Sequence, residues 1–202
     1  MALLEAMKRS VAWFCARCSK GQSTDSEYVQ TEYFTIATQY YVAGRYAYFA
    51  GLVPTAGNLF HHAIEMYLKG YLAQHMNELK RKSLGHSLKR CWRAFKRKFG
   101  DQSLNQHDQA IAILDRFESI RYPEKFAREG GEVHFSPTTP NPPSRGMYAA
   151  PASRRYDLIL NEIDLLVATI FQKANVNPKF FGNHLNNNAQ SFLIKENPSG
   201  IW

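Results

Sequence analysis

Two adjacent histidines, a glutamate and a lysine lie within one otherwise apolar stretch, NLFHHAIEMYLKGYL (58–72). On a helix, His61, Glu65 and Lys69 fall in line at four-residue spacing, and His62 reaches Glu65 three residues later. Such groups can bind a metal, move a proton or form the polar edge of a packed helix. A zinc-protease helix needs two histidines four residues apart, and a di-iron helix needs Glu before His; neither order is present. The stretch is therefore interpreted as the polar edge of a packed helix, without a metal site.

Two cysteines, Cys15 and Cys18, form a CxxC near the start of the sequence. Structural zinc needs four ligands, and no second CxxC or histidine pair at finger spacing accompanies them. The segment MALLEAMKRSVAWFCARC is instead typical of an amphipathic helix, and we expect both cysteines on its apolar side. A helix docked on the body of the protein is favoured over a membrane-surface anchor.

A basic ridge is predicted on the segment HSLKRCWRAFKRKF (86–99). Its apolar residues define one face of a helix, and four cations cluster beside that face: Lys89, Arg93, Lys96 and Arg97. Lys80, Arg81 and Lys82 add charge just before it. Such a ridge suits a phosphate backbone, whose binding releases counterions. A solvated helix face without a ligand is the alternative.

The elements that position these residues are helices. Helical periodicity covers about 27–52, 56–78, 86–99, 105–121 and 154–174, and no segment alternates apolar and polar residues as a strand does. The sequence thus predicts an all-α, up-and-down antiparallel bundle of four to five main helices. We expect an amphipathic helix over 1–24, the bundle over 25–175 with a long irregular loop at 124–153, and an irregular Asn-rich tail over 176–202, attached by its aromatic residues.

The composition favours a folded protein with an anionic partner. The 202 residues include 25 Lys and Arg against 17 Asp and Glu, a net charge of +8. That balance favours phosphate-rich ligands. Three cysteines are too few for a disulfide scaffold and indicate a reducing, cytoplasmic compartment. No apolar run is long enough for a membrane span, and the charges among the first residues argue against a signal peptide.

Three pieces in this order, LFHHAIEMYLKGYL, LGHSLKRCWRAF and RYPE, resemble the HEPN domain (higher eukaryotes and prokaryotes nucleotide-binding) over about 28–124. The residues that carry the resemblance are His61, His62, Glu65, Lys69, His86, Arg121 and Pro123. The resemblance implies a short helical bundle, frequently a homodimer, that acts on nucleotide or RNA in defence or toxin systems. It implies no cofactor.

Many HEPN proteins are metal-independent ribonucleases in which four to six residues separate an Arg from a His near the start of the last helix. Arg would hold the scissile phosphate and His would move a proton. Two pairs match the spacing, Arg81 with His86 and Arg128 with His134. Neither lies at the start of the last helix, and the loop pair Arg128 and His134 is preferred because a loop entering that helix could fold back over the site.

Three hypotheses follow from the sequence. The leading one is a HEPN-like domain that binds nucleic acid or nucleotide through the basic ridge, without a well-formed catalytic motif. The second is a metal-independent endoribonuclease using Arg128 and His134. The third is a structural subunit whose stripe of Gly44, Ala47 and Gly51 pairs with a partner protein.

Overall fold

A computed structural model describes residues 25–122, 124, 132–138 and 155–202. Within these ranges the chain is all-α apart from two short strands. The elements in chain order are α1 (Asp25–Phe49), α2 (Val53–Ala73), α3 (Glu78–Ser83), α4 (Leu88–Phe99), α5 (Asp108–Phe117), β1 (Glu132–Ser136), β2 (Arg155–Ile159), α6 (Leu160–Ala174), α7 (Pro178–Gly182) and α8 (Asn187–Ile194). Two 3₁₀ turns, Gln102–His107 and Glu118–Arg121, flank α5. The predicted all-α class with five main helices is confirmed, whereas the N-terminal helix expected over 1–24 lies outside the described residues.

The two longest helices, α1 and α2, form an antiparallel hairpin. The rings of Phe34 and Tyr67 lie 5.2 Å apart, and those of Tyr41 and Phe60 lie 6.1 Å apart, so later residues of α1 meet earlier residues of α2. Gly44 permits this contact, because a Cβ there would lie 2.9 Å from the Phe60 ring. All four rings are fully buried, and this hairpin forms the centre of the core.

Two of the three small residues predicted to contact a partner protein pack within the chain instead. Gly44 contacts Phe60, Ala47 is buried in the core, and Gly51 has φ of +72° in the turn after α1. Glycine adopts that φ without steric cost. Gly44 and Ala47 are therefore packed inside the chain, whereas Gly51 is exposed in the turn.

Helix α4 begins and ends where its sequence dictates. The Ser87 side chain accepts a hydrogen bond from the backbone N–H of Arg90, and Gly100 ends the helix in the left-handed conformation with φ of 62°. Its apolar face, which includes Trp92 and Phe95, is buried. The exposed face carries basic residues, which include Arg90, Arg93 and Arg97.

Helix α6 is attached to α1 by a buried ion pair. The guanidinium of Arg45 binds both carboxylate oxygens of Asp164, and both side chains are fully buried. Tyr41 donates a hydrogen bond to the same carboxylate at 2.5 Å. Arg45 also donates to the carbonyls of Phe192 and Lys195, which connects the C-terminal residues to α1.

The prediction of an irregular tail is wrong. Residues after 175 form α7 and α8, each with an Asn at its start whose side chain accepts a backbone hydrogen bond. Phe181 and Leu193 are buried in the main core, and Trp202 stacks on Tyr41 with ring centroids 5.9 Å apart. Asn177 and Asn186, two of the asparagines that suggested irregular structure, are helix caps, and the segment belongs to the same core as the bundle.

The expectation that the chain contains no strand is also wrong in one place. Strands β1 and β2 pair in parallel, with His134 opposite Asp157 in the register. β1 lies in the predicted irregular loop, most of which lies outside the described residues. β2 replaces the first residues of the predicted last helix, which begins at Leu160 instead of Arg154. Tyr156, Leu158 and Ile159 are buried, so tertiary packing decides their conformation.

The described helices include none with the length and apolar character required to cross a bilayer.

Candidate functional site: a buried glutamate and an arginine face

The polar residues of the opening stretch converge on the carboxylate of Glu65. Glu65 lies on α2 with no exposed side-chain surface. Lys69 Nζ donates to Oε1 at 2.6 Å, one helical turn further along. His86, which precedes α4, places Nδ1 at 3.1 Å from Oε1 and 3.3 Å from Oε2. The carboxylate therefore joins α2 to the start of α4.

Two further histidines surround this carboxylate without hydrogen bonding to it. His61 Nε2 is 3.7 Å from Oε2 of Glu65 and His62 Nδ1 is 3.8 Å away, which exceeds hydrogen-bond length. His61 is fully buried, and its Nδ1 lies 2.9 Å from the carbonyl oxygen of Leu114 on α5. Because a carbonyl only accepts, Nδ1 carries the proton and donates it.

The surroundings keep Glu65 ionised and favour neutral His61. Burial alone would raise the pKa of the Glu65 carboxyl, but the nearby imidazole of His62 and the hydrogen bonds with Lys69 and His86 outweigh burial and lower this pKa to about 2. Burial lowers the pKa of His61, partly offset by its bond to Leu114 and the charge of Glu65. At neutral pH, the cluster thus holds an ionised carboxylate paired with Lys69.

His86 is the accessible member of the cluster. Its side chain is 59% exposed, whereas Glu65 has no exposed surface. An imidazole held through Nδ1 by a carboxylate presents Nε2 on its opposite edge, in the tautomer suited to proton transfer. The pair therefore has the parts of an acid–base group at the surface.

A cation already occupies the position that a metal would take at Glu65. Lys69 Nζ lies 2.6 Å from Oε1, so a metal ion bound to that oxygen would have to displace the ammonium group. Across the ranges described above, no group of three or more His, Cys, Asp or Glu residues is arranged to hold a metal ion.

The predicted basic ridge is divided by acidic residues of α5. Lys96 Nζ lies 2.7 Å from Asp108 Oδ1, and Lys89 Nζ lies 3.8 Å from Asp115 Oδ2. The two lysines are seven residues apart on α4 and the two aspartates are seven residues apart on α5. The two pairs therefore join helices that run antiparallel. Half of the predicted set is therefore paired with carboxylates, because α5 places Asp108 and Asp115 opposite those lysines.

The other half of the set lies on an exposed arginine face of α4, defined here as Arg90, Arg93 and Arg97. At 100° per residue these three positions fall within about 60° of one another, at the centre of the exposed side. All three are exposed. Arg90 and Arg93 donate to the carbonyls of Ser83 and Lys89 at 3.4 and 3.2 Å. Within the part of the chain described, none of the three forms an ion pair with a carboxylate.

Arg90 was omitted from the predicted ridge. Its spacing of three and seven residues from Arg93 and Arg97 could have revealed it, because those spacings place residues on one helix face. The sequence prediction centred the ridge next to the apolar face, where Lys89 and Lys96 lie. The lysines are paired because they lie beside the aspartates of α5, whereas the arginines face away from α5.

The structure describes the side chains of only one of the two Arg–His pairs. Arg128 lies outside the described residues, and for His134 only the backbone, in β1, is described. In the other pair, Arg81 donates from Nη1 to the carbonyl of Met76 at 2.7 Å, and its Nε is buried without a hydrogen-bond partner. Arg81 thus supports the end of α2, while His86 binds Glu65. Of the remaining residues of the family resemblance, Arg121 ends the second 3₁₀ turn and Pro123 lies outside the described residues.

No protein family, curated protein or solved structure that was compared with the chain matches it. The HEPN resemblance therefore stays a prediction.

Proposed function

We propose that this all-α chain binds nucleic acid through the arginine face of α4. The observation that carries the proposal is the alignment of Arg90, Arg93 and Arg97 on one exposed surface, where no carboxylate of the described residues pairs with them. Guanidinium groups donate several hydrogen bonds in a plane and suit phosphate oxygens. Because each phosphate contact releases counterions, binding through this face depends on salt.

The net charge of +8 supports the same proposal. Exposed Lys80, Lys82 and Lys98 lie on or near α4 and extend the positive potential around the arginine face. Lys82 is paired with Glu78 at 2.6 Å, but both side chains are largely exposed, so that pair is open to water and salt. The homodimer implied by the HEPN resemblance and the cytoplasmic location indicated by the three cysteines belong to this proposal. Sedimentation of the full chain measures the dimer.

The experiment is titration of a fluorescently labelled single-stranded RNA with the full chain. We expect saturable binding that the triple variant Arg90→Gln, Arg93→Gln, Arg97→Gln weakens at least tenfold. Competition with ATP and with inorganic phosphate distinguishes a polymer from a mononucleotide. If the triple variant binds as the wild type does, the arginine face is not the site.

Cleavage of RNA is a second candidate function, favoured by one specific observation. His86 is half exposed and is held by buried Glu65 at 3.1 Å, at the end of α4 that carries Arg90. In this version of the predicted ribonuclease, His86 takes the role that the sequence assigned to His134. The neutral imidazole would remove the proton of a 2′-hydroxyl, whose oxygen attacks the adjacent phosphorus and displaces the 5′-oxygen. The imidazolium would return the proton to that leaving oxygen, and the arginines would stabilise charge on the phosphate.

Incubation of the labelled RNA with EDTA tests this second candidate. We expect metal-independent cleavage that His86→Ala abolishes and that His184→Ala, at an exposed histidine on another part of the chain, leaves unchanged. Intact RNA under binding conditions would restrict the function to binding. Cleavage that persists in His86→Ala but is lost in His134→Ala would favour the loop pair instead.

A further inference from the structure

A row of aromatic rings leads from the C-terminal end of α4 to the turn after α2. The rings of Phe99 and Tyr71 lie 5.2 Å apart, and those of Tyr71 and His75 lie 4.5 Å apart. Tyr71 is buried, whereas His75 is exposed. The backbone N–H of His75 also donates to the carbonyl of Leu72 at 3.0 Å. The imidazole is therefore held in place at the end of the row, and a planar group can approach it from the side away from Tyr71.

His75 lies beside the arginine face, on the side away from α5. At 100° per residue, Lys96 and Lys98 lie on opposite sides of Arg97. Lys96 is on the side of α5, where it pairs with Asp108. Lys98 is on the other side, close enough to His75 for the two to interact electrostatically. A nucleic-acid strand on the arginine face thus meets a carboxylate in one direction, and a lysine followed by an exposed imidazole in the other.

We propose that His75 stacks on an unpaired base of single-stranded RNA whose neighbouring phosphates bind Arg97 and Lys98. This inference rests on the proposed function, since the arginine face holds the strand. Bases of single-stranded nucleic acids stack on aromatic side chains, and such stacking tolerates any base because every base has a flat face. Bases in a duplex are already paired and stacked, so this contact selects single strands without reading their sequence.

The charge state of His75 suits stacking. Partial burial lowers the pKa of His75 below its ordinary value of 6.5, and the charge of Lys98 lowers it further. The imidazole is therefore neutral at neutral pH and has no charge with which to attract a phosphate. Its contribution to binding should come from ring contact and should not vary with salt, whereas each phosphate contact of the arginine face is salt-dependent.

Titration of single-stranded RNA with the full chain at several salt concentrations tests the site. We expect His75→Ala to weaken binding by about tenfold, while the slope of log K against log salt stays as in the wild type. His75→Tyr keeps an aromatic ring, and we expect it to retain the wild-type affinity. An RNA of the same length without bases keeps the phosphates, so the wild type and His75→Ala should bind this abasic RNA equally.

The matched control is His184→Ala. His184 is exposed and lies against the ring of Phe180 at 5.2 Å, much as His75 lies against Tyr71, but it is on another part of the chain, after α7. We expect no change in RNA affinity for this variant. The thermal midpoint of each variant shows whether its fold is retained. If His75→Ala lowers that midpoint, His75→Tyr and the abasic RNA still test the site.

The outcomes separate the base site from the arginine face. Equal affinities of the wild type and His75→Ala, with weak binding by the triple arginine variant, would reject only the base site. A loss in His75→Tyr as large as that in His75→Ala, or a loss that persists on abasic RNA, would show that His75 does not act by stacking. A wild-type chain that binds no RNA would reject the base site together with the proposed function.

Discussion

His86 Nδ1 lies 3.1 Å from Oε1 of Glu65, which attaches a half-exposed imidazole to a fully buried carboxylate. Lys69 neutralises the same carboxylate from one helical turn away. Buried charges need such partners, because loss of one partner leaves the other unpaired in a poorly solvated site. The cluster is therefore a structural centre as well as a possible acid–base group.

Glu65→Gln should destabilise the fold by about 3 kcal/mol, because it leaves Lys69 nearly buried without its counter-charge. The measurement is the free energy of unfolding in urea. Glu78→Gln is a close control, since Glu78 and Lys82 have the same spacing and the same 2.6 Å distance but are largely exposed. We expect little change there. Equal losses in the two variants would contradict the assignment of Glu65 as a buried charge centre.

Stability should fall as the pH drops below about 6.5, in part because of His61. Its pKa is lower in the folded state than the ordinary 6.5, so the unfolded chain binds a proton first as pH decreases. His61→Leu should reduce the difference in unfolding free energy between pH 7.5 and pH 5.5, although His107, whose pKa burial also lowers, retains part of it. His184→Leu is the exposed control. The same pH dependence in wild type and His61→Leu would refute this explanation.

Further acidification, from about pH 4.5 towards pH 2, should remove the contribution of Glu65 to the free energy of unfolding. The folded pKa of about 2 lies below the ordinary 4.5, so the stabilisation is complete above pH 4.5 and is lost as pH falls through the folded value. Acid unfolding followed by circular dichroism should show a steeper loss in wild type than in Glu65→Gln over this range. Parallel curves would contradict an ionised Glu65.

Arg45→Lys should release the C-terminal helix while retaining a positive charge. Lysine cannot bind both oxygens of Asp164 and also the carbonyls of Phe192 and Lys195. We expect α8 to become sensitive to limited proteolysis and the unfolding free energy to fall by about 3 kcal/mol. A cleavage pattern like that of the wild type would show that the carbonyl contacts do not retain α8.

Gly57→Ala tests the contact between α2 and α5. A Cβ at Gly57 would lie 2.1 Å from the ring of Phe117, so the ring must move, and we expect a loss of about 3 kcal/mol. Gly182→Ala is the matched control, since a Cβ there would be 3.4 Å from Leu193. The thermal midpoints of both variants give the comparison. Similar midpoints would mean that α2 and α5 are not in close contact at Gly57.

The helices could be predicted because their signals are local. Leu88, Trp92 and Phe95 recur at helical spacing, and Ser87 and Gly100 mark the ends of α4. Strand β2 could not, because the alternation in Arg155–Ile159 is too short to distinguish a strand from a helix, and the segment takes its conformation from pairing with β1. The C-terminal helices were missed because Asn177 and Asn186 suggest irregular structure, although they cap helices.

The candidate site could be predicted only in part. Its contacts within one helix follow from sequence spacing, whereas its contacts between helices do not. Sequence spacing alone placed His61, Glu65 and Lys69 together on α2. It could not show that His86 would meet Glu65, because that contact depends on how α4 packs against α2. Nor could it show that Asp108 and Asp115 would pair with Lys96 and Lys89, since those contacts join residues on different helices.

The salt dependence of RNA binding by two charge-matched variants tests the central claim most directly. Arg93→Gln with Arg97→Gln, and Lys179→Gln with Lys195→Gln, each remove two exposed positive charges from the chain. If α4 contacts phosphates, the arginine variant should lower the slope of log K against log salt by about 1.4, at about 0.7 per phosphate of a single strand, and the lysine variant should keep the wild-type slope. Equal slopes in the two variants would mean that only the overall charge attracts RNA, which would contradict a binding site on the arginine face.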